Sequence, residues 1–75
     1  MNIPERIVID EKLCAGKPCI KGTRLSVDLV LELLASGWNF KQIQEEYEIE
    51  KEDILAVLKY ASNVVSQEEI FRIST

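Results

Sequence analysis

The run Gly16-Lys17-Pro18-Cys19-Ile20-Lys21-Gly22-Thr23-Arg24 gathers glycines, bases and a hydroxyl into one short segment, and phosphate sites are built from these residue types. A nucleotide-binding P-loop follows the pattern GxxxxGK[ST], in which backbone amides and the lysine surround the phosphate. Here five residues separate Gly16 from Gly22, and Thr23 follows Gly22 with no lysine between. No nucleotide loop is expected. Gly16 and Gly22 read as turn positions, and Arg24 as a partner for Asp28 one helical turn on, or for a backbone carbonyl. A second reading keeps Lys17, Lys21, Thr23 and Arg24 as candidate phosphate contacts on nucleic acid. The structural reading is preferred, because nothing else nearby adds positive charge.

Cys14 and Cys19 lie five positions apart and the chain has no histidine, so the usual Cys and His donors cannot complete a four-ligand zinc site. The two thiols read as small apolar side chains in a reducing cytosol rather than as a redox or metal pair. Without histidine, a hydrolase would need paired carboxylates, a Ser-Lys arrangement or a cysteine nucleophile. The many glutamates sit at helix-surface spacings that need only solvation. The chain is therefore expected not to be an enzyme and to need no cofactor or metal.

These residues must be positioned by a single small domain. Seventy-five residues, 47% hydrophobic and 29% charged, are too apolar for a disordered chain and too few for two domains. A core of this size supplies only about 3 to 5 kcal/mol of stability, so such chains lean on disulfides, a metal or a partner subunit. With the first two disfavoured, a homodimer is the expectation. No run approaches the roughly 20 apolar residues that span a bilayer, so no membrane association and a cytoplasmic location are expected.

The β-branched run Ile7-Val8-Ile9 and the apolar pieces around Cys19, Ile20 and Leu25 predict one or two short strands separated by the Gly16-Lys17-Pro18 turn. A first helix starts after Ser26, carries Val27, Val30, Leu31 and Leu34 at helical spacing, and stops at Gly37. A second opens at Asn39, whose spacing to Gln42 makes a capping box, and carries Phe40, Ile43 and Tyr47 on one face. A third runs from about Glu50 to Asn63, with Ile54, Leu58 and Ala61 on one stripe and Leu55, Val57 and Tyr60 on the flanks. Ser66 to Glu69 form another capping box, opening a short turn with Ile70, Phe71 and Ile73. Trp38 reads as a helix-packing residue. The apolar belt of the third helix exceeds what one core needs, so Leu55, Val57, Tyr60, Val64, Ile70, Phe71 and Ile73 are the candidate partner or dimer interface.

Charge is unevenly placed. Residues 1–24 hold five bases and three acids (+2), while residues 25–75 hold four bases and ten acids (−6), giving the net −4. Affinity for phosphates comes from Lys and Arg, so any contact with DNA belongs to the first third. Residues 39–61 have the outline of a helix-turn-helix. The start of its second helix, Glu50-Lys51-Glu52-Asp53, carries acids where a groove reader meets DNA phosphates. The acidic remainder suits a basic protein partner.

Arg6 to Asp10, Gly16 to Val27, Leu33 to Trp38, Ile43 to Tyr47, Asp53-Ile54 and Leu58 to Ala61 closely resemble the small prokaryotic family called domain of unknown function 433. The segment from Gly16 to Arg24 is the most specific part. The resemblance implies a mainly α fold, a three-helix homeodomain-like helix-turn-helix core with a short N-terminal β-hairpin or strand arm. It also implies an antitoxin that inhibits a PIN-like ribonuclease toxin and represses its own operon by binding operator DNA. The alternatives are a DNA-binding regulator without a toxin, or a dimeric adaptor. On this reading the chain divides into strands and basic arm over 1–25, a helical core over 26–63 and a tail over 64–75.

Overall fold

Ile7–Ile9 (β1) and Pro18–Ile20 (β2) pair antiparallel, with Ile7 opposite Ile20, Val8 opposite Cys19 and Ile9 opposite Pro18. The computed structural model describes residues 3–73, and the side chains of residues 3–67. A two-stranded hairpin is marginal alone. This one is held because its inward side chains, Ile7 and Ile20, enter the helical core. A bridge from Cys19 to Ser26 then carries the chain from the sheet directly into the first helix.

Helix α1 spans Val27–Ala35, and the Ser26 hydroxyl caps it by accepting from the Leu29 amide at 3.3 Å. It ends as glycine at this position dictates. Gly37 sits at φ 101°, and the amides of Gly37 and Trp38 donate to the carbonyls of Leu34 and Leu33, both at 3.1 Å. This closing pattern satisfies carbonyls that the helix end leaves open. Helix α2, Phe40–Tyr47, begins with the expected capping box: the Asn39 side chain accepts from the Gln42 amide and the Gln42 side chain from the Asn39 amide, each at 2.8 Å. Its C-cap residue Glu48, just past Tyr47, takes a left-handed conformation, φ 54° and ψ 46°, which costs about 1–2 kcal/mol for a residue with a Cβ.

Helix α3 spans Lys51–Ile73 without a break. The expected end at Asn63 is therefore corrected, and the Ser66 to Glu69 pattern opens no new element. Side chains of capping type act only where the backbone already turns, and residues 51–73 contain no Gly or Pro to make it turn. The expected tail from residue 64 is helical as far as Ile73.

The fold is mainly α: a three-helix, homeodomain-like core with an N-terminal hairpin, in which α2, the turn through Ile49 and α3 form the helix-turn-helix. Val30, Ile43, Ile54 and Val57 are wholly buried and Ile49 nearly so; burying each such side chain is worth roughly 1.5–3 kcal/mol. Trp38, Phe40 and Tyr60 pack around them half-buried. On α3 the buried stripe is Ile54 and Val57, three residues apart, not Ile54 and Leu58. Leu58 remains exposed, because α1, α2 and β1 all approach the helix from the Ile54 and Val57 side.

Candidate functional site

The hairpin arm is tied to the helix-turn-helix by Arg6. Its Nη1 donates to Glu50 Oε1 at 2.8 Å and to Asp53 Oδ1 at 3.0 Å, while Asp53 Oδ2 accepts from the Glu50 amide at 2.9 Å. Hydrogen bonds to Glu50 and then Asp53 raise the Arg6 pKa above its ordinary value. The consequence for charge is direct. Two of the three acids at the start of α3 are engaged by a base from the arm, leaving Glu52 as the unpaired acid of that turn among the described residues. Sequence reading did not single out Arg6; the available signal was a lone base beside β1 in a chain whose third helix opens on three acids.

The four candidate phosphate contacts do not act alike. Lys17 Nζ lies 3.5 Å from Asp28 Oδ2, so Asp28 takes Lys17 as its partner rather than Arg24, as spacing had suggested. The Ser26 hydroxyl, and after it Lys17, hold the Asp28 carboxyl below its ordinary pKa. Thr23 is spent inside its own turn: its Oγ1 donates to the Ile20 carbonyl at 2.8 Å and accepts from the Leu25 amide at 3.0 Å. Lys21 and Arg24 are exposed, and neither side chain makes an ion pair among the described residues. Of the four candidates, Lys21 and Arg24 are thus the available cations.

The loop ahead of β2 is strained. Cys14, Ala15 and Gly16 are all left-handed, at φ 51°, 55° and 82°, and the first two bear side chains. The turn is held by hydrogen bonds from the Gly16 amide to Leu13 and from the Lys17 amide to Cys14, both 3.0 Å. It directs the Cys14 thiol to donate to the Arg24 carbonyl at 3.0 Å, while the buried Cys19 thiol faces the Thr23 carbonyl at 3.9 Å. Burial foremost, then contact with Cys14, pushes the Cys19 pKa up. Thr23 and Arg24, with Leu25, Leu29 and Tyr47, line a shallow groove of about 340 Å3. The Tyr47 ring also lies 6.4 Å from that of Trp38.

The outward face of α3 carries three large apolar side chains beside the exposed Lys51 and Lys59. Leu55, Leu58 and Val65 are 45%, 37% and 56% exposed, and with Ser62 they fall within roughly 80° of one another around the helix at about 100° per residue. Of the candidate interface residues, Leu55 lies on this face, whereas Tyr60 and Val64 are half-buried on the side of the helix that carries Val57. Val57 is corrected: its side chain is wholly enclosed in the chain's own core and has no surface to offer. The side chains of Ile70, Phe71 and Ile73 lie outside the described residues. Leu58 and Val65 belong to the exposed face and were not among the candidates, because the sequence periodicity placed Leu58 inward.

Among the described residues no three Cys, Asp or Glu side chains are grouped to hold a metal, and no helix is long and apolar enough to cross a membrane. Residues 7–61 match the family described as a protein of unknown function, DUF433. The chain belongs to the DUF433 family. A relative of this DUF433 protein in Archaeoglobus fulgidus, named only as an uncharacterised protein, is 62% identical over 24 residues, which is 32% of this chain and 67% of the relative. The crystal structure of a DUF433 member protein from Anabaena variabilis superposes with a TM-score of 0.77 at 23% identity, covering 96% of this chain and 71% of that one. That likeness establishes the three-helix fold with its hairpin for this DUF433 chain.

Proposed function

We propose that this DUF433 protein is the antitoxin of a toxin–antitoxin pair, a homodimer that binds and inhibits a PIN-like ribonuclease. The observation that carries the reading is the exposed apolar face of α3, at Leu55, Leu58 and Val65. A helix entering a DNA groove presents polar and basic groups to phosphates and base edges, whereas solvent-facing leucines on a small protein suit a protein partner. The −6 charge of residues 25–75 would speed encounter with the basic, RNA-binding mouth of a nuclease. The apolar face would then hold the complex.

The test is a growth assay. Expression of the nuclease-like frame adjoining this gene arrests growth, co-expression of this chain restores it, and Leu55→Glu with Leu58→Glu abolishes the rescue while the chain stays folded. Absence of rescue by the natural chain sinks the reading.

Operator binding is a second reading, favoured by the availability of Lys21 and Arg24 and by the engagement of Glu50 and Asp53 with Arg6. It calls for a salt-sensitive gel shift on the upstream promoter that Lys21→Glu or Arg24→Glu removes. No shift by the natural chain at low salt ends it.

A further inference from the structure

Cys14 opens the strained loop and Cys19 lies in the middle of β2, yet their thiols face the carbonyls of two adjacent residues, Arg24 and Thr23. The Cys14 thiol reaches the Arg24 carbonyl at 3.0 Å and the Cys19 thiol faces the adjacent Thr23 carbonyl at 3.9 Å; after burial, the neighbouring Cys14 is the next cause that raises the Cys19 pKa. One is half-buried and the other fully buried, so one sulfur can meet a small solute and the other waits behind it. The left-handed run at Cys14 and Ala15 is what turns the first thiol inward. Local strain of this sort persists only where the surrounding structure enforces it. Spacing alone made these residues packing side chains; their placement makes them a dithiol.

We propose that Cys14 and Cys19 form an oxidisable pair that a hydroperoxide converts into an intramolecular disulfide. The Cys14 sulfur, as thiolate, attacks the terminal peroxide oxygen. The O–O bond breaks, the electron pair leaves on the other oxygen, and that oxygen takes a proton to become an alcohol, or water when the oxidant is hydrogen peroxide. Cys14 is then a sulfenic acid. The Cys19 sulfur attacks it, forming the S–S bond and expelling hydroxide, which leaves as water with the Cys19 proton. Two thiols lose two electrons, and the peroxide gains them.

The modification has a local consequence. A disulfide carries no S–H, so the carbonyls of Arg24 and Thr23 lose their thiol donors together. These two residues line the groove together with Tyr47, and Arg24 is one of the available cations of the arm. Oxidation therefore removes two tethers from the loop between β2 and α1 and leaves it held by the bonds among Ile20, Thr23 and Leu25.

The test uses the reduced full-length chain, freed of reductant and treated with hydrogen peroxide, then denatured, alkylated and weighed intact. The expected product is a monomer lighter by two hydrogens that takes no alkyl group, and a phosphine reductant returns both alkylation sites. Cys14→Ser and Cys19→Ala each abolish the two-hydrogen loss, with far-UV circular dichroism confirming that at least the Cys14→Ser chain is folded. Amide hydrogen exchange over residues 20–26 is expected to quicken in the oxidised monomer and to recover on reduction. The proposal is overturned if both thiols remain alkylatable, if Cys14 gathers oxygen while Cys19 stays a thiol, if the bond forms only between two chains, or if exchange over 20–26 is unchanged.

Discussion

Arg6 and Asp53, forty-seven residues apart, meet at 3.0 Å, and the other Asp53 oxygen closes on the Glu50 amide. One carboxylate thus fixes the arm and starts α3 at once. Asp53 is 13% exposed in its side chain and Glu50 69%, so the two acids are not equivalent partners. Asp53→Ala is expected to lower stability by about 1–2 kcal/mol, the usual loss for a helix-start hydrogen bond with a second partner attached. Glu50→Ala should change it much less, as exposed pairs do. Urea unfolding of both variants checks the order; equal losses would show that the Arg6 contact to Glu50 carries the tie.

Three left-handed positions, Cys14, Ala15 and Glu48, carry side chains that the backbone does not want. Ala15→Gly and Glu48→Gly should each stabilise the chain by about 0.5–1 kcal/mol, the relief of a left-handed Cβ less the entropy of glycine. Equilibrium denaturation reads this directly. A loss at either site would mean that its side chain makes a contact worth more than the strain.

Val57 and Leu58 are neighbours with opposite environments. Val57→Ala should cost about 1–3 kcal/mol by opening a cavity in the core, whereas Leu58→Ala should fall within about 0.5 kcal/mol of the natural chain in the monomer. Denaturation at low protein concentration separates them, and a large cost at Leu58 would place that residue in a folded-state contact.

The capping box of α2 gives a local measure. Asn39→Ala is expected to cost about 1 kcal/mol, and Asn39→Asp to retain most of the helix start through its oxygen. Thermal unfolding followed at 222 nm distinguishes the two.

Asp28 sets a pH dependence. Its carboxyl is held below the ordinary value by the Ser26 hydroxyl and Lys17, so the native chain binds its proton less readily than the unfolded chain. The associated stability is complete above the unfolded value near 3.8 and is lost as pH falls through the lower native value. Asp28→Asn should flatten that part of the acid limb, and an unchanged slope between the two variants would remove Asp28 from the account.

The helices were legible because their punctuation is local. Ser26, Gly37 and the Asn39–Gln42 pair each act on backbone groups within a few residues, and all three do in the fold what their types imply. The helix-turn-helix followed from the same local signals, with Ile49 buried in its turn. What escaped was relational. Whether Leu58 or Val57 faces inward depends on the direction from which α1 and α2 approach α3, and a belt apolar on several sides does not encode that. Arg6 with Asp53, and Cys14 with Cys19, are pairings made by the hairpin's docking and by an αL turn at residues that favour other conformations. The end of α3 was misplaced for a related reason: Asn63 and Ser66 resemble caps, but no helix breaker accompanies them. Of the candidate site, the basic arm was located by charge alone, yet the division into committed Lys17 and Thr23 and available Lys21 and Arg24 needed the fold.

The uninterrupted course of α3 makes it a rotational gauge. Between the core residue Tyr60 and the exposed Val65 there is nothing to absorb twist, so a single residue inserted there would swing every later side chain by about 100° around the axis, while four would bring the same faces back to within roughly 40°. Length variation in that stretch should accordingly be tolerated in steps of a helical turn and not otherwise, a phase rule that any surface formed jointly by Leu55, Leu58 and Val65 must obey.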